Sequence, residues 1–471
     1  MSLPEAPPGL VEASRRLARG DIDCESLTAD LLQRIRHFNL EINCYLSIFE
    51  DSALQRARQL DGELRDGSWR GPLHGIPVAV KDIFDFPGYR ASGGSKLRRT
   101  PGSASATVLQ RLETAGAILL GTLNLDELAA GGSGDNAHFG RCCNPWNPLH
   151  NAGGSSSGSA AAVAAGLACA TLGSDAGGSI RIPAAFCGVT GVKPSYGRVS
   201  RHGALARTWS MDCIGPLARD CDDATTLLNA ISGRDALDAT SVESTDVSSD
   251  IDALQRDSLP SIGFLDDPAC RRHRETDANF AAAMEQFEVA GYPLHAIEDL
   301  ELEPYTRMQQ IVVKSEGAAM HEKALRGGDP LMSRAVRSVI EGGLEIPAVR
   351  YLEALSLRPE LLQHFIDKAF ADCDLLLLPV SLPSAPEFAP TEALQAAEID
   401  RAFSQTATMT RFANYLGLPA VSIPSGLDRQ GLPTALQLVA RPFEESLMLS
   451  VGSDYERRRG PMVRPGLPHG Q

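Results

Sequence analysis

Apolar residues in the first sixty positions recur at helical spacing. Leu10, Val11, Ser14 and Leu17 fall on one face, Asp21 to Ser26 interrupts, and Leu27 to Phe38 resumes the period. Asp51 stands ahead of SALQRARQLDGEL as a candidate N-cap. Then the pattern shifts. Pro72 to Pro77 reads as a turn, and Val78-Ala79-Val80 as a short buried strand leading into Lys81-Asp82. Thr107 to Ala115 predicts a helix with Gly116 past its end, Ala117 to Leu120 a strand, and Asn124 to Ala130 a short helix. Strands alternating with helices predict an α/β sheet covered on both faces.

From Gly131 to Gly203 the chain reads as loop-rich, with one Ala-rich helix at Ser159 to Leu167. Helices follow at Asp222 to Ile231 and at Ala278 to Ala290, the latter with Thr276 or Asp277 as its cap. Residues 305 to 371 are mostly helical in pattern. Ser261 to Leu265, Asp374 to Pro379 and Leu436 to Val439 predict strands. Asp238 to Asp257 is polar and reads as a surface insertion, and the basic, Pro-rich stretch from Arg457 as a loose tail. No internal repeat is visible. The expectation is one domain over 1–471: N-terminal helices to 60, a catalytic core over 61–235, a variable helical region over 236–372, a return to the core sheet over 373–456, and the tail from 457.

Composition narrows the function classes. With 44 Lys and Arg against 59 Asp and Glu, the net charge is −15. Gripping phosphate backbones or anionic membranes needs clustered Lys and Arg, so neither nucleic acid nor membrane is expected as a partner. The longest apolar run, Ala160 to Leu172, is too short for the ~20 residues of a membrane span. The start, MSLPEAPPGL, has no secretory pattern. The ten cysteines form no C-x-x-C pair and read as small buried hydrophobes of a reducing compartment, so a cytoplasmic location is expected. H-E-x-x-H is absent and no metal or other cofactor is expected.

Fifteen of the forty-three glycines fall between Gly131 and Gly203, in and around two serine-bearing loops. One is Gly153-Gly154-Ser155-Ser156-Ser157-Gly158-Ser159, the other Gly173 to Arg181, GSDAGGSIR. Such loops can aim backbone N–H groups at an anion or oxyanion. A phosphate-binding P-loop would need G-K-[ST], and the first loop has no Lys. The G-x-S-x-G elbow matches formally and would make Ser156 a nucleophile, but an elbow follows an apolar strand, and NPWNPLHNA is not one. The third reading uses a lysine base. Lys81 closes an apolar strand, where burial would lower its pKa.

The segment GGSSSGSAAAVAAGLACATLGSDAGGSIRIPAAFCGVTGVKPSYGRVS, from Gly153 to Ser200, resembles the signature of the amidase signature family. PLHGIPVAVKD, DCIGPLARD and YLGLPAVSIPSG extend the likeness over most of the chain. The resemblance implies a large mixed central sheet with helices on both faces. It also implies a Ser–cisSer–Lys triad. Ser179 matches the nucleophile, Ser155 the bridging serine 24 residues earlier, after a cis bond from Gly154, and Lys81 the base. The backbone N–H groups of Ala176, Gly177, Gly178 and Ser179 match the oxyanion hole. Asp175 and Arg181 are expected to pair and fix the loop, and Ser156 to hydrogen-bond the lysine. Gly131, Gly132 and Ser133 match a segment lining the acyl pocket. His74 and Trp146 read as structural.

The family implies cleavage of a C–N bond in a small amide, aryl amide, carbamate or ureide through an acyl-enzyme. A small amide-type substrate and a possible homodimer are the expected partners. The close rival is the glutaminase component of a glutamine-dependent aminoacyl-tRNA amidotransferase, which KPSYGRVSRHG strongly resembles. That component carries an acidic residue ten positions before the Gly of G-L-P, and here Ala407 stands there. AVRSVIEGGLEIPAVRYLEAL also lacks its Arg-Ile-Met-Leu-Gly-Thr pattern. A stand-alone hydrolase is therefore the expectation, ahead of the transferase component and of a non-catalytic binding protein on the same fold.

Overall fold

The computed structural model describes residues 6–97, 105–254, 256, 258–265, 273–298, 300–388, 398 and 405–467. Cys270 and the last four residues of the tail lie outside them. Eleven strands build one mixed sheet. In chain order they are β1 (Tyr45–Ile48), β2 (Pro77–Lys81), β3 (Ile118–Leu123), β4 (Ala170–Asp175), β5 (Thr190–Lys193) and β6 (Cys213–Ala218). They continue with β7 (Ile262–Leu265), β8 (Leu294–Ile297), β9 (Leu375–Pro379), β10 (Ala420–Leu427) and β11 (Pro433–Val439). Across the sheet the order is β1-β3-β2-β4-β6-β5-β10-β11-β9-β7-β8. Helices cover both faces, so the α/β expectation holds.

The parallel pairing of β2 with β4 matters most for function. Val78 faces Ala170 and Val80 faces Leu172, so the C-terminal ends of both strands, Lys81 and Asp175, open on the same side. In open α/β sheets that side is where ligands bind. Both strands are buried along their whole length. The Ala-rich helix Ser157–Ala164, itself fully buried, packs on them. A second core, with Tyr305, Phe365, Phe412 and Tyr415, sits beneath the helices Glu303–Arg326 and Arg358–Ala369. Side-chain caps hold helix starts where the sequence offers them: Asp23 accepts from Ser26 N, and Asp220 from Asp223 N at 2.8 Å.

Several expectations are corrected. Asp51 lies inside the helix Glu50–Arg65, whose entry residue is Phe49. The helix expected at Asn124 to Ala130 is only a single turn, Glu127–Ala129, because Leu128 and Ala129 take left-handed backbone angles. The helix at Arg274–Val289 starts before Thr276 and Asp277, after His273. Arg457 to Arg459 close the helix Glu445–Arg459, and irregular chain begins only at Gly460. The stretch 131–203 is far less loop-like than its glycines suggest, since it supplies β4, β5 and the buried helix Arg181–Cys187. Among the described residues no helix is long and apolar enough to cross a membrane.

Candidate active site

Lys81 closes β2 with its side chain fully enclosed. Its Nζ lies 2.8 Å from Ser155 Oγ, 3.1 Å from Ser156 Oγ and 3.0 Å from Ser174 Oγ. Burial pulls its pKa down to about 7, against a weaker upward pull from Asp126, Asp212 and Asp175. Near neutral pH the amine is therefore uncharged in a large fraction of molecules. A neutral amine donates two N–H bonds and keeps one lone pair. Ser156 cannot supply a proton to that lone pair: its hydroxyl donates to the Ser174 carbonyl at 3.2 Å and accepts from Ser174 N–H at 3.3 Å. The hydroxyls of Ser155 and Ser174 are left to do so. The geometry thus separates two neighbouring serines into a holder, Ser156, and a proton donor, Ser155.

The peptide bond between Gly154 and Ser155 is cis. Gly154 must be a glycine, since a Cβ there would fall 1.9 Å from Asp126 Oδ2. Asp126 in turn accepts N–H bonds from Ser133 at 3.3 Å and Gly134 at 3.2 Å, and its N–H reaches Ser155 O at 3.3 Å. Burial pushes its carboxyl up to about 6 against those N–H bonds. Gly173 also has to be small: a Cβ would lie 2.8 Å from Ser156 Oγ.

Ser179 follows β4 on the loop that leads into the helix Arg181–Cys187, and its carbonyl accepts the N–H of Ser156 at 3.1 Å. That bond ties the two serine loops together. The loop's frame is the Asp175–Arg181 pair, both fully buried. Arg181 donates Nε to Asp175 Oδ2 at 3.0 Å and Nη2 to Oδ1 at 3.2 Å. It also reaches Asn414 Oδ1 at 2.7 Å and Gln437 Oε1 at 3.2 Å, while Asn414 Nδ2 donates to Asp175 Oδ1 at 2.9 Å. Burial alone would raise the Asp175 carboxyl, but the Arg181 guanidinium holds it well below the usual carboxylate range. Removing one partner of such a pair strands the other charge. Asp175→Asn is expected to lower the unfolding free energy by about 3–5 kcal/mol in urea denaturation, and a loss under about 1 kcal/mol would show that the pair does not hold the loop.

Of the four N–H groups expected to face an oxyanion, that of Gly178 is already donated to Asp175 Oδ1 at 2.6 Å. This corrects its assignment: Gly178 fixes the turn, leaving Ala176, Gly177 and Ser179 as the donors that can meet substrate. Gly131 lines the cavity over Ser179 together with Ala176 and Gly177. Ser133 instead turns its N–H to Asp126, and Gly132 backs onto Gly154. His74 is buried, its ring bonded to Arg70 N–H and Leu60 O and stacked on Trp69, as a structural residue would be. Trp146 donates its indole N–H to Cys187 O at 2.8 Å.

Sequence reasoning does not single out Ser174, Asn414, Gln437, Asp126 or Gln309. Ser174 alone leaves a local signal, sitting in GSDAGGS one residue before Asp175. Among the described residues no group of three His, Cys, Asp or Glu side chains is placed to hold a metal ion.

A model of the family described as Amidase matches residues 26–449, and the chain belongs to that family. It is 35% identical to the GatA-type chain of the glutamyl-tRNA(Gln) amidotransferase of Anaeromyxobacter sp. (strain K), over 98% of both chains. Among solved structures, the peptide amidase of Stenotrophomonas maltophilia superposes with a TM-score of 0.83 at 27% identity, covering 99% of this chain and all of that one. A chain from a vestigial protein complex that reveals the origins of an s-triazine catabolic enzyme gives a TM-score of 0.86 at 30% identity, over 97% of this chain and 100% of that one. The fold and the family make this chain an amide-hydrolysing enzyme. They also correct the expected partners. The likeness to one component of a tRNA amidotransferase, and to a member of a protein complex, overturns a small molecule as sole partner and the exclusion of nucleic acid. Net charge averages over the whole surface, and says nothing of a nucleic acid served through another chain.

Proposed function

We propose that the enzyme cleaves amides through an acyl-enzyme on Ser179, with Ser155 and Lys81 relaying the proton. One observation carries the reading: a buried amine, its pKa lowered to about 7, touches Ser155 Oγ at 2.8 Å beside the loop bearing Ser179. Neutral Lys81 takes the Ser155 proton, Ser155 takes that of Ser179, and the Ser179 oxygen bonds to the amide carbon. The N–H groups of Ala176, Gly177 and Ser179 receive the developing oxyanion. The C–N bond breaks as the relay returns the proton to the leaving nitrogen. Water then opens the ester by the same path.

Two settings fit this chemistry. The relatives favour the first, the ammonia-releasing component of a glutamine-dependent tRNA amidotransferase, with identities of 35% and 36% over nearly full length. The second is a hydrolase working on its own. Ala407 favours it, because a buried methyl packed against Ile182, Ala185 and Phe186 offers nothing to a glutamine ammonium. Ammonia release by the purified chain separates the two. A transferase component is expected to need its partner chains and glutamine for turnover. A hydrolase is expected to turn over simple amides alone, unstimulated by the partners of a related transferase.

A further inference from the structure

The cavity above Ser179 is small, about 40 Å³, which admits only a short acyl chain. Its wall is charged in one sense. Arg207, Lys314 and Arg411 line it, together with Gln309, and among the described lining residues there is no carboxylate. Three different segments contribute these cations: the loop before β6, the helix Glu303–Arg326 and the short helix Arg411–Tyr415. Arg207 is buried and donates Nη1 to Val313 O at 3.3 Å. The acidic groups in electrostatic reach of Arg207 are engaged elsewhere. Asp212 accepts the backbone N–H groups of Arg207 and Thr208, and Glu316 accepts from Ser210 N–H and the Tyr351 hydroxyl.

Gln309 supplies an independent sign that a ligand belongs here. Its Nε2 donates to Ala176 O at 2.8 Å, and since a carbonyl only accepts, the side-chain amide has one orientation. That orientation leaves Oε1 buried, with no hydrogen-bond partner among the described residues. The residue is 2% exposed, so water does not satisfy it from outside. A buried acceptor without a donor is unfavourable in the empty protein and is relieved when a bound molecule brings an N–H.

We propose that this site selects short amides whose acyl chain ends in a carboxylate and carries no ammonium, the carboxylate meeting Arg207, Lys314 and Arg411 and an N–H of the amide meeting Gln309 Oε1. The inference rests on the acyl-enzyme reading of Ser179 and on neither of its two settings. The reaction balances as a hydrolysis: the carboxylate amide and water give a dicarboxylate and ammonia. An ammonium on the same chain would enter a wall whose charged side chains are all cations, so the zwitterion glutamine is disfavoured against glutaramate, the same chain without its amino group. Pentanamide, with neither charge, lacks the contact altogether.

Two measurements on the whole chain test this. In the first, ammonia release is followed with glutaramate, glutamine and pentanamide. Glutaramate is expected to have a kcat/KM at least about tenfold above both. Lys314→Gln and Arg207→Gln are expected to erase that advantage chiefly through KM, the half-buried Lys314 keeping the test valid if the Arg207 variant fails to fold. Equal rates for glutaramate and pentanamide, or a preference for glutamine, overturn the proposal. In the second, Ser179 is acylated with p-nitrophenyl acetate in the presence of glutarate, or of chloride at equal ionic strength. Protection by glutarate beyond that by chloride is expected, and equal protection overturns the anion site. Absence of any acylation burst overturns instead the role of Ser179, so the two failures are distinguishable.

Discussion

Ser179→Ala is expected to lower kcat/KM for amide hydrolysis by a factor on the order of 10⁴–10⁶, with folding intact. The substitution removes one oxygen from a loop whose frame lies elsewhere. Asp175, Arg181, Asn414 and Gln437 remain bonded to one another, and the tie between loops is a Ser179 carbonyl to Ser156 N–H bond that alanine keeps. The residual rate would come from the oxyanion donors and binding alone. Steady-state ammonia release, together with a denaturation curve matching that of the native protein, checks both halves. Activity within about tenfold of the native enzyme would remove Ser179 from the mechanism.

The second large effect concerns Lys81. Lys81→Met, which keeps most of the length of the side chain and removes its nitrogen, is expected to lower kcat/KM by about 10³–10⁵-fold. It also leaves Ser155 and Ser174 without their shared partner. A pH profile gives a reading that a merely structural lysine would not move. The base acts in its neutral form, and burial places the folded pKa near 7, below the ordinary 10.5. The neutral fraction grows as pH rises, so kcat/KM of the native enzyme is expected to climb through about pH 7 and level off above it. In Lys81→Met that limb is expected to vanish from the remaining activity. A native profile flat from about pH 5 to about 9 contradicts a lysine base of lowered pKa.

How much of this is legible in the chain depends on distance along it. Lys81, Ser155, Ser179, Asp175 and Arg181 lie in compact stretches whose residue types announce their chemistry. Lys81 reads as buried because three apolar residues precede it, and it is. The framework around them is not legible, because its contacts cross long gaps. Asn414 reaches Arg181 across 233 positions, Gln437 across 256, and Gln309 reaches Ala176 across 133. An isolated Asn or Gln in an apolar segment carries no signal of the charge it will satisfy. The strand β4 is hidden for another reason. Buried on both faces, ATLGSD has no alternation of polar and apolar positions, and its glycine and serine resemble a loop. They are there because Ser156 and Lys81 press against that strand. The turn at Glu127–Ala129 reads as a longer helix since its local residues are good helix formers, yet Leu128 adopts a left-handed backbone with its N–H donated to Gly93 O at 2.6 Å.

The helix Glu303–Arg326 brings Gln309 and Lys314 to the cavity, whereas the reacting groups all come from residues 81 to 179. Selectivity and reactivity are thus carried by separate stretches of the gene. A recombinant in which this helix is exchanged for that of a relative is expected to inherit the donor's taste in acyl groups with the same proton relay beneath it. Substrate range in such a scaffold is then free to drift under selection while the reaction itself stays fixed.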